Sequence, residues 1–190
     1  YFDHYDLTTL EHADFYPDGR DLGENYTYTT WLQSPCVKES RMDCIHCHTS
    51  SGRNRFEGAN ANQSCMPCHA SKVKDPTKHT FHQIDSEGSK CVNCHMPTTR
   101  FAAMTRSDHS MRPPMPTLSR KFKSPNACNL CHDDQTVQWA DKHVRAWRPR
   151  DYQADDLYRA DLVDRARKND WSKLQETLDY IVSGEREEVV

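Results

Sequence analysis

Eight of the nine cysteines in this 190-residue chain belong to four copies of one short pattern. In each copy two cysteines stand three positions apart, and a histidine directly follows the second, at residues 44–48, 65–69, 91–95 and 128–132. Two thiols at this spacing can form thioethers with the two vinyl groups of one porphyrin, while the adjacent histidine ligates the iron. The pattern therefore predicts four covalently attached haem c groups.

The pattern assigns a role to each of its members. The cysteines that bind the haems are Cys44, Cys47, Cys65, Cys68, Cys91, Cys94, Cys128 and Cys131. The proximal iron ligands are His48, His69, His95 and His132. A zinc ribbon or a disulfide scaffold also uses many cysteines, but neither requires a histidine after every second cysteine. The repeated histidine favours haem.

The chain is too polar to fold around side chains alone. Only 35% of its residues are hydrophobic, 28% are charged, and the mean hydropathy is −0.97. Such a chain buries too little apolar surface to offset the conformational entropy that it loses on folding. We therefore expect a mainly α fold with much irregular loop, built around the haems, with a helical segment at the C-terminal end. The chain without haem should be largely unfolded.

Charge and chemistry restrict the partners and the compartment. The formal net charge is −3, and the haem propionates make the loaded chain more acidic, at about −7 when oxidised. Nucleic acid is therefore an unsuitable partner, whereas redox proteins or other copies of this chain are suitable. No apolar run approaches the length of a membrane span. Haem attachment to this motif takes place outside the cytoplasm, so we expect an exported protein that is periplasmic, on the cell surface or extracellular, with a processed start.

The haem motifs divide the chain into regions. We expect a tetrahaem domain over residues 1–148, with a haem-free lead-in at 1–43 and the motifs at 44–134, followed by a helical hairpin at 149–190. Three prolines, at 113, 114 and 116, predict a stiff extended connector before the fourth motif. Apolar spacing predicts three helices beyond that motif, around residues 137–147, 157–163 and 171–182, the last of them closed by Gly184.

The second axial position of each iron has several candidates. Seven histidines lie outside the proximal set, and four of them would complete bis-histidine ligation. His109 adjoins Asp108, whose carboxylate could orient its ring. His79 and His82 are three residues apart, so one helical turn could present both. With His4, these are the preferred distal ligands; His12 and His143 are further candidates, and His46 is a weaker one.

Several phrases resemble one group of multihaem cytochromes, the large exported proteins in which a haem region precedes tetratricopeptide or HEAT-like helical repeats. The phrases cover residues 3–6, 16–19, 32–34, 91–97, 106–110 and 124–128. The resemblance spans roughly residues 1–148 and implies electron transfer, with His4 and His109 within matching phrases. This chain differs in having about one helical hairpin in place of a repeat array. Its size and haem count are also similar to those of subunits of extracellular cytochrome filaments.

Cys36 is the ninth cysteine and has no place in a motif. Proteins that resemble this chain tend to carry methionine or histidine at this position, which implies a distal thiolate ligand as one interpretation. A buried free thiol and an intermolecular disulfide are the alternatives.

Two classes of function follow from these candidates. In the first, the chain is an electron carrier with mostly bis-histidine haems, and it could form the repeating subunit of a conductive filament. In the second, it is an enzyme that acts on a small nitrogen or sulfur oxyanion at an open or Cys36-ligated haem. Haem nitrite reductases often have lysine in place of the motif histidine, and this sequence has no such variant. The uniform histidines favour the carrier.

Overall fold

A computed structural model describes residues 12–23, 27–40, 42–66 and 68–183. The predicted ligand His4 lies outside these ranges, as does Gly184, and the side chain of His12 is also outside the description.

Ten short α-helices and one β-hairpin make up the regular structure of these ranges. The helices are α1 (Thr27–Leu32), α2 (Pro35–Glu39), α3 (Cys44–Cys47), α4 (Ala70–Lys74), α5 (Thr77–Thr80), α6 (Cys91–His95), α7 (Pro116–Phe122), α8 (Val137–Ala146), α9 (Ala154–Arg167) and α10 (Leu174–Ser183). Turns of 3-10 helix occupy His12–Asp14, Gly58–Cys65, Glu87–Ser89, Cys128–Leu130 and Trp171–Lys173. Strands β1 (Thr98–Phe101) and β2 (Met104–Ser107) pair antiparallel, with Thr98 opposite Ser107. The expected mainly α fold with extensive loop is confirmed.

The C-terminal helices form where apolar spacing predicts them. Helix α8 begins after Thr136, whose hydroxyl accepts a hydrogen bond from the backbone N–H of Trp139 at 3.1 Å. This cap satisfies one of the N–H groups that the first helical turn leaves without a partner. The third predicted helix is divided: a 3-10 turn beginning at Trp171 precedes α10, and Asp170 caps it by accepting from the N–H of Ser172.

The proline connector is shorter than predicted. Pro113 and Pro114 are non-helical, but Pro116 is the first residue of α7. Proline is well suited to this position because its fixed φ is helical and its missing N–H would have no partner there. The hairpin of β1 and β2 was not predicted either, since four-residue strands show too little alternation to be recognised.

The protein core is confined to part of the chain. A cluster of Met115, Leu118, Phe122 and Ala160 joins α7 to α9, and Tyr152 packs against it. Among the described residues, the buried hydrophobic side chains other than proline lie at Phe15 or from Met115 onward. The section that contains the first three motifs therefore has no apolar side-chain core of its own, as expected for a region that folds around a cofactor.

A polar network connects the two sides of the predicted boundary at 148. The Asp141 carboxylate on α8 accepts hydrogen bonds from the Thr117 hydroxyl on α7 and from the amide of Gln153 at 3.1 Å. Gln153 is 1% exposed, and its side-chain oxygen accepts from the backbone N–H of Thr117 at 2.9 Å. Helices α7, α8 and α9 therefore pack as one unit, and a division of the chain into two domains remains a prediction.

A buried ion pair fastens the lead-in to the segment that carries His109. The Arg20 guanidinium donates to Asp18 at 3.1 Å and to Asp108 at 3.0 Å, and all three side chains are nearly inaccessible. The two positive charges of Arg20 and Arg112 hold the pKa of Asp108 below its usual value despite its burial, which acts to raise it. Because breaking such a pair leaves a buried charge, the contact fixes the position of this segment.

Within the described ranges, the structure has no helix whose length and hydropathy suit a membrane crossing.

Candidate haem sites

Three motifs form one helical turn each, in α3, in α6 and in the 3-10 turn at Cys128–Leu130, whereas the second motif follows the end of a 3-10 helix and its Met66 is extended. The backbone N–H of the motif histidine donates to the carbonyl of the first cysteine, at 2.9 Å for His48, 3.0 Å for His69 and 3.0 Å for His132. His95 ends α6, which begins at Cys91. Residues three and four apart in such a turn lie on one face. In the first, third and fourth motifs the turn therefore directs both thiols and the imidazole to the same side, as attachment of a single haem requires.

Three of the four motif histidines lie opposite a histidine from elsewhere in the chain. The ring centres of His48 and His109 are 6.3 Å apart, with the planes inclined by 34°.

The other two pairs involve His79 and His82, which are three residues apart in the sequence. The rings of His79 and His95 lie 6.1 Å apart and nearly parallel, at 9°. The rings of His82 and His132 lie 6.0 Å apart and are inclined by 39°.

These separations suit two imidazoles that share one iron. A histidine nitrogen lies about 2 Å from a bound metal ion, and the ring centre lies roughly 1 Å beyond it, so rings on opposite sides of one ion are about 6 Å apart. Rings that cannot share an iron also lie at such separations, at 6.0 Å for His82 and Trp147, so the pairing of one motif histidine with one other histidine is the distinguishing feature. The donor set and its spacing therefore fit haem at the first, third and fourth motifs.

Hydrogen bonds orient several of these rings. A backbone carbonyl accepts from Nδ1 of His109 at 2.8 Å (Ser107), from Nδ1 of His82 at 2.6 Å (Thr80) and from Nδ1 of His95 at 3.3 Å (Met111). Since a carbonyl only accepts, Nδ1 carries the proton in each ring. Nε2 is then left with a free lone pair, the arrangement typical of metal-binding histidines.

Burial keeps three of the paired rings neutral. It is the largest cause of a lowered pKa at His109, at His95 and at His79, where the pKa falls to about 4. At His79 the positive charge of Arg148 lowers the pKa further. A neutral imidazole is the form that binds metal, so these rings are available as ligands at neutral pH.

The second motif differs from the others. Within the described ranges no histidine ring is paired with His69. His46 is near this motif, but its Nε2 lies 3.0 Å from the carbonyl oxygen of Ser64, and its ring packs 6.4 Å from Phe56. His4 and the side chain of His12 are outside the description, so their assignment as ligands stays a prediction.

His143 and Cys36, the remaining candidates, are half-buried near other motifs. The His143 ring lies 4.4 Å from that of Trp139, whose ring also lies 4.8 Å from that of His132. Cys36 is in α2, where a charge on its thiol would act on Cys47 and help to raise the pKa of that thiol, after burial and Cys65. Neither placement tests the ligand hypothesis.

Two expectations about neighbouring residues are wrong. Asp108 does not orient the His109 ring, because its carboxylate binds Arg20 and the N–H of Ser110, and the ring binds Ser107 instead. His79 and His82 do not share a helical turn. Helix α5 ends at Thr80, and Phe81 adopts a left-handed conformation, with φ at 59°. The two rings therefore lie opposite different motif histidines.

Cysteines of successive motifs lie close together. The thiols of Cys65 and Cys91 are hydrogen bonded, which lowers the pKa of Cys65 and raises that of Cys91 in the unmodified chain. A charge on Cys65 would raise the pKa of the Cys47 thiol, and a charge on Cys94 would raise that of the Cys128 thiol. Each of these two pairs is therefore close together. The four attachment sites therefore follow one another in sequence order. Among the described residues no cluster of three or more Cys, His, Asp or Glu side chains suits a bare metal ion.

Comparison with known proteins identifies the family. The family model described as cytochrome c552 matches residues 82–179, just over half of the chain. The chain belongs to the cytochrome c552 family. Covalently bound haem c is therefore its cofactor, and proteins of this family are typically exported.

The cytochrome c552 match includes the third and fourth motifs, the paired histidine His82 and helices α6 to α9. Searches of curated proteins and of solved structures found no match. The resemblance to c-type cytochromes is thus confirmed, while the likeness to repeat-containing and filament cytochromes stays a prediction.

Proposed function

We propose that this cytochrome c552 protein carries four haem c groups, one at each motif, and transfers electrons along them. When bound, each haem supplies a one-electron iron couple, and the chain contributes attachment, axial ligation and control of the potential. The eight motif cysteines hold the haems, and the four motif histidines are the proximal ligands. His109, His79 and His82 are the distal ligands of the first, third and fourth haems.

The pairing of histidine rings is the observation that carries the proposal. Each pair joins one motif histidine to one histidine from outside the motifs, and all three separations lie between 6.0 and 6.3 Å. An iron with two imidazole ligands has no open position for a substrate. Such a site is suited to electron transfer rather than to catalysis.

The adjacency of the cysteines supports a continuous path. The Cys65 thiol interacts directly with that of Cys91, and Cys94 is close enough to Cys128 for its charge to act on that thiol, so consecutive attachment sites are near one another. Electrons can then pass from each site to the next without crossing a long stretch of polypeptide.

Haem count and spin state together test the proposal. The purified protein should contain four haems per chain by haemochrome assay and intact mass, and at least three should have low-spin ferric EPR signals typical of bis-imidazole ligation. Fewer than four haems would contradict the predicted count. High-spin signals from two or more haems would contradict the proposed ligands.

Substitution of Gly88 tests the fourth site without replacing either of its proposed ligands, His82 and His132. A Cβ at this position would lie 2.2 Å from Cδ2 of the His82 ring, so alanine forces the ring to move. We expect Gly88→Ala to convert the fourth haem from low spin to high spin in a large fraction of molecules. Optical and EPR spectra measure this fraction.

Ser89→Ala is the matched control for Gly88→Ala. It alters the adjacent residue of the same 3-10 turn and removes only a hydroxyl that donates to Ser86. This variant should remain low spin. Equal spectral changes in both variants would mean that the turn, and not the His82 ring, is the sensitive element.

The second haem is the place where the alternative function would reside. Cytochrome c552 proteins are often nitrite reductases, so membership of the family does not by itself exclude catalysis. His4 or His12 of the same chain would close the second iron to substrates. A histidine donated by a neighbouring copy would do the same and would build a head-to-tail assembly, the narrower form of this proposal. Binding of cyanide or nitrite to one haem of four would favour the enzyme.

A further inference from the structure

The ring of His79 differs from the other paired rings in what faces its Nδ1 atom. Nδ1 of His109, of His82 and of His95 each donates to a backbone carbonyl. Nδ1 of His79 instead faces Nη2 of Arg148 at 3.2 Å, and the same Nη2 donates to the His79 carbonyl at 2.9 Å. One distal ligand thus has a cation beside its Nδ1, where the other two have a backbone carbonyl that accepts from it.

Arg148 is placed to act on the whole third site. It directly follows the C-terminal cap of α8, Trp147, and its backbone N–H donates to the carbonyl of Arg145 at 3.3 Å. Its charge acts on His95 as well as on His79, and Lys72 adds a further positive charge near His79. The guanidinium is held by its contact with the backbone and is always protonated.

We propose that Arg148 raises the reduction potential of the third haem above those of the first and fourth haems. The inference rests on the proposed ligation of that haem by His95 and His79. Reduction of ferric to ferrous iron removes one positive charge, and a fixed cation nearby favours that change. A carbonyl that accepts from Nδ1 makes an imidazole a stronger donor and favours ferric iron, whereas the Arg148 guanidinium cannot accept that proton and gives His79 no such strengthening.

The presence or absence of the Nδ1 proton on His79 decides the sign of the effect on the potential of the third haem. An imidazole that binds iron through Nε2 normally keeps its proton on Nδ1, and arginine cannot accept it. If Arg148 instead held His79 as an anionic imidazolate, the added negative charge would lower the potential of the third haem. The two cases predict shifts of opposite sign when the guanidinium is removed.

The test is a spectroelectrochemical titration of the haem-loaded protein, resolved into four one-electron steps. His79→Met assigns the third haem, because a methionine ligand raises the potential of its own step and leaves the others in place. In the wild-type protein this step should lie above those assigned in the same way with His109→Met and His82→Met.

Arg148→Gln should shift the third step downward and leave the remaining steps nearly unchanged. Arg148→Lys, which keeps the charge, should shift it much less. An upward shift, or no shift in a glutamine variant whose low-spin spectrum is intact, would overturn the role of Arg148 while leaving the ligation standing. A His79→Met variant with unaltered spectra and potentials would show that the ligation itself is wrong. If Arg148→Gln does not fold, the order of the wild-type steps still decides the matter.

Discussion

Replacement of His82 by alanine should produce one high-spin haem that binds carbon monoxide, in a protein whose other haems are unchanged. The ring of His82 lies 6.0 Å from that of His132, and no other histidine ring of the described residues is paired with His132. Loss of the distal imidazole leaves the fourth iron with one protein ligand. About one quarter of the total haem should then bind carbon monoxide, as read in the optical spectrum. The fourth haem of the wild-type protein should bind none.

His143→Ala is the control for this variant. His143 is also half-buried near the fourth motif, but its ring packs 4.4 Å from that of Trp139 and is not paired with that of His132. This variant should bind no additional carbon monoxide. If His143→Ala opens the fourth haem and His82→Ala does not, the pairing of rings has been assigned to the wrong histidine.

Loss of the haems should unfold one part of the chain and spare another. A variant with alanine at all eight motif cysteines cannot attach haem. Apart from Pro76 and Pro97, residues 42–114 have no buried hydrophobic side chain within the described ranges, whereas Met115, Leu118, Phe122 and Ala160 form a core between α7 and α9. Backbone amides of the motif section should therefore lose most of their protection, with opening free energies falling from several kcal/mol to about zero.

Hydrogen exchange read by mass spectrometry measures this loss peptide by peptide. Peptides from α7 and α9 serve as the internal control, since their apolar contacts do not depend on the cofactor. Slow exchange across the first three motifs in the haem-free variant would contradict the expected dependence of the fold on haem. Complete loss of protection in α9 would show that the C-terminal helices also depend on the haems.

The sequence was a good guide to the chemistry of the sites and a poor guide to their geometry. Four repeats of a five-residue pattern indicate haem attachment because thiol, thiol and imidazole spacing is local and lies within one helical turn. His109, His79 and His82 could also be selected as distal candidates by context. Which iron each one faces depends on contacts between residues far apart in the chain, and no local pattern encodes such contacts.

His79 and His82 show where prediction from local sequence fails. A separation of three residues predicts a shared helical face, but the left-handed backbone of Phe81 ends α5 between them. Phenylalanine has no particular preference for that conformation, so nothing in the local sequence signals the reversal. The partner of Asp108 was missed for a similar reason, because Arg20 lies 88 residues away.

By itself the sequence identified the four motifs, predicted their proximal ligands and a fold that depends on a cofactor, and located the C-terminal helices by apolar spacing. Each of these depends on residues within a few positions of one another or on composition. Only the tertiary structure decided that His48 faces His109, that His79 and His82 face different motif histidines, and that Arg148 lies beside His79. Those relations arise when distant segments pack together, and packing is a property of the whole folded chain.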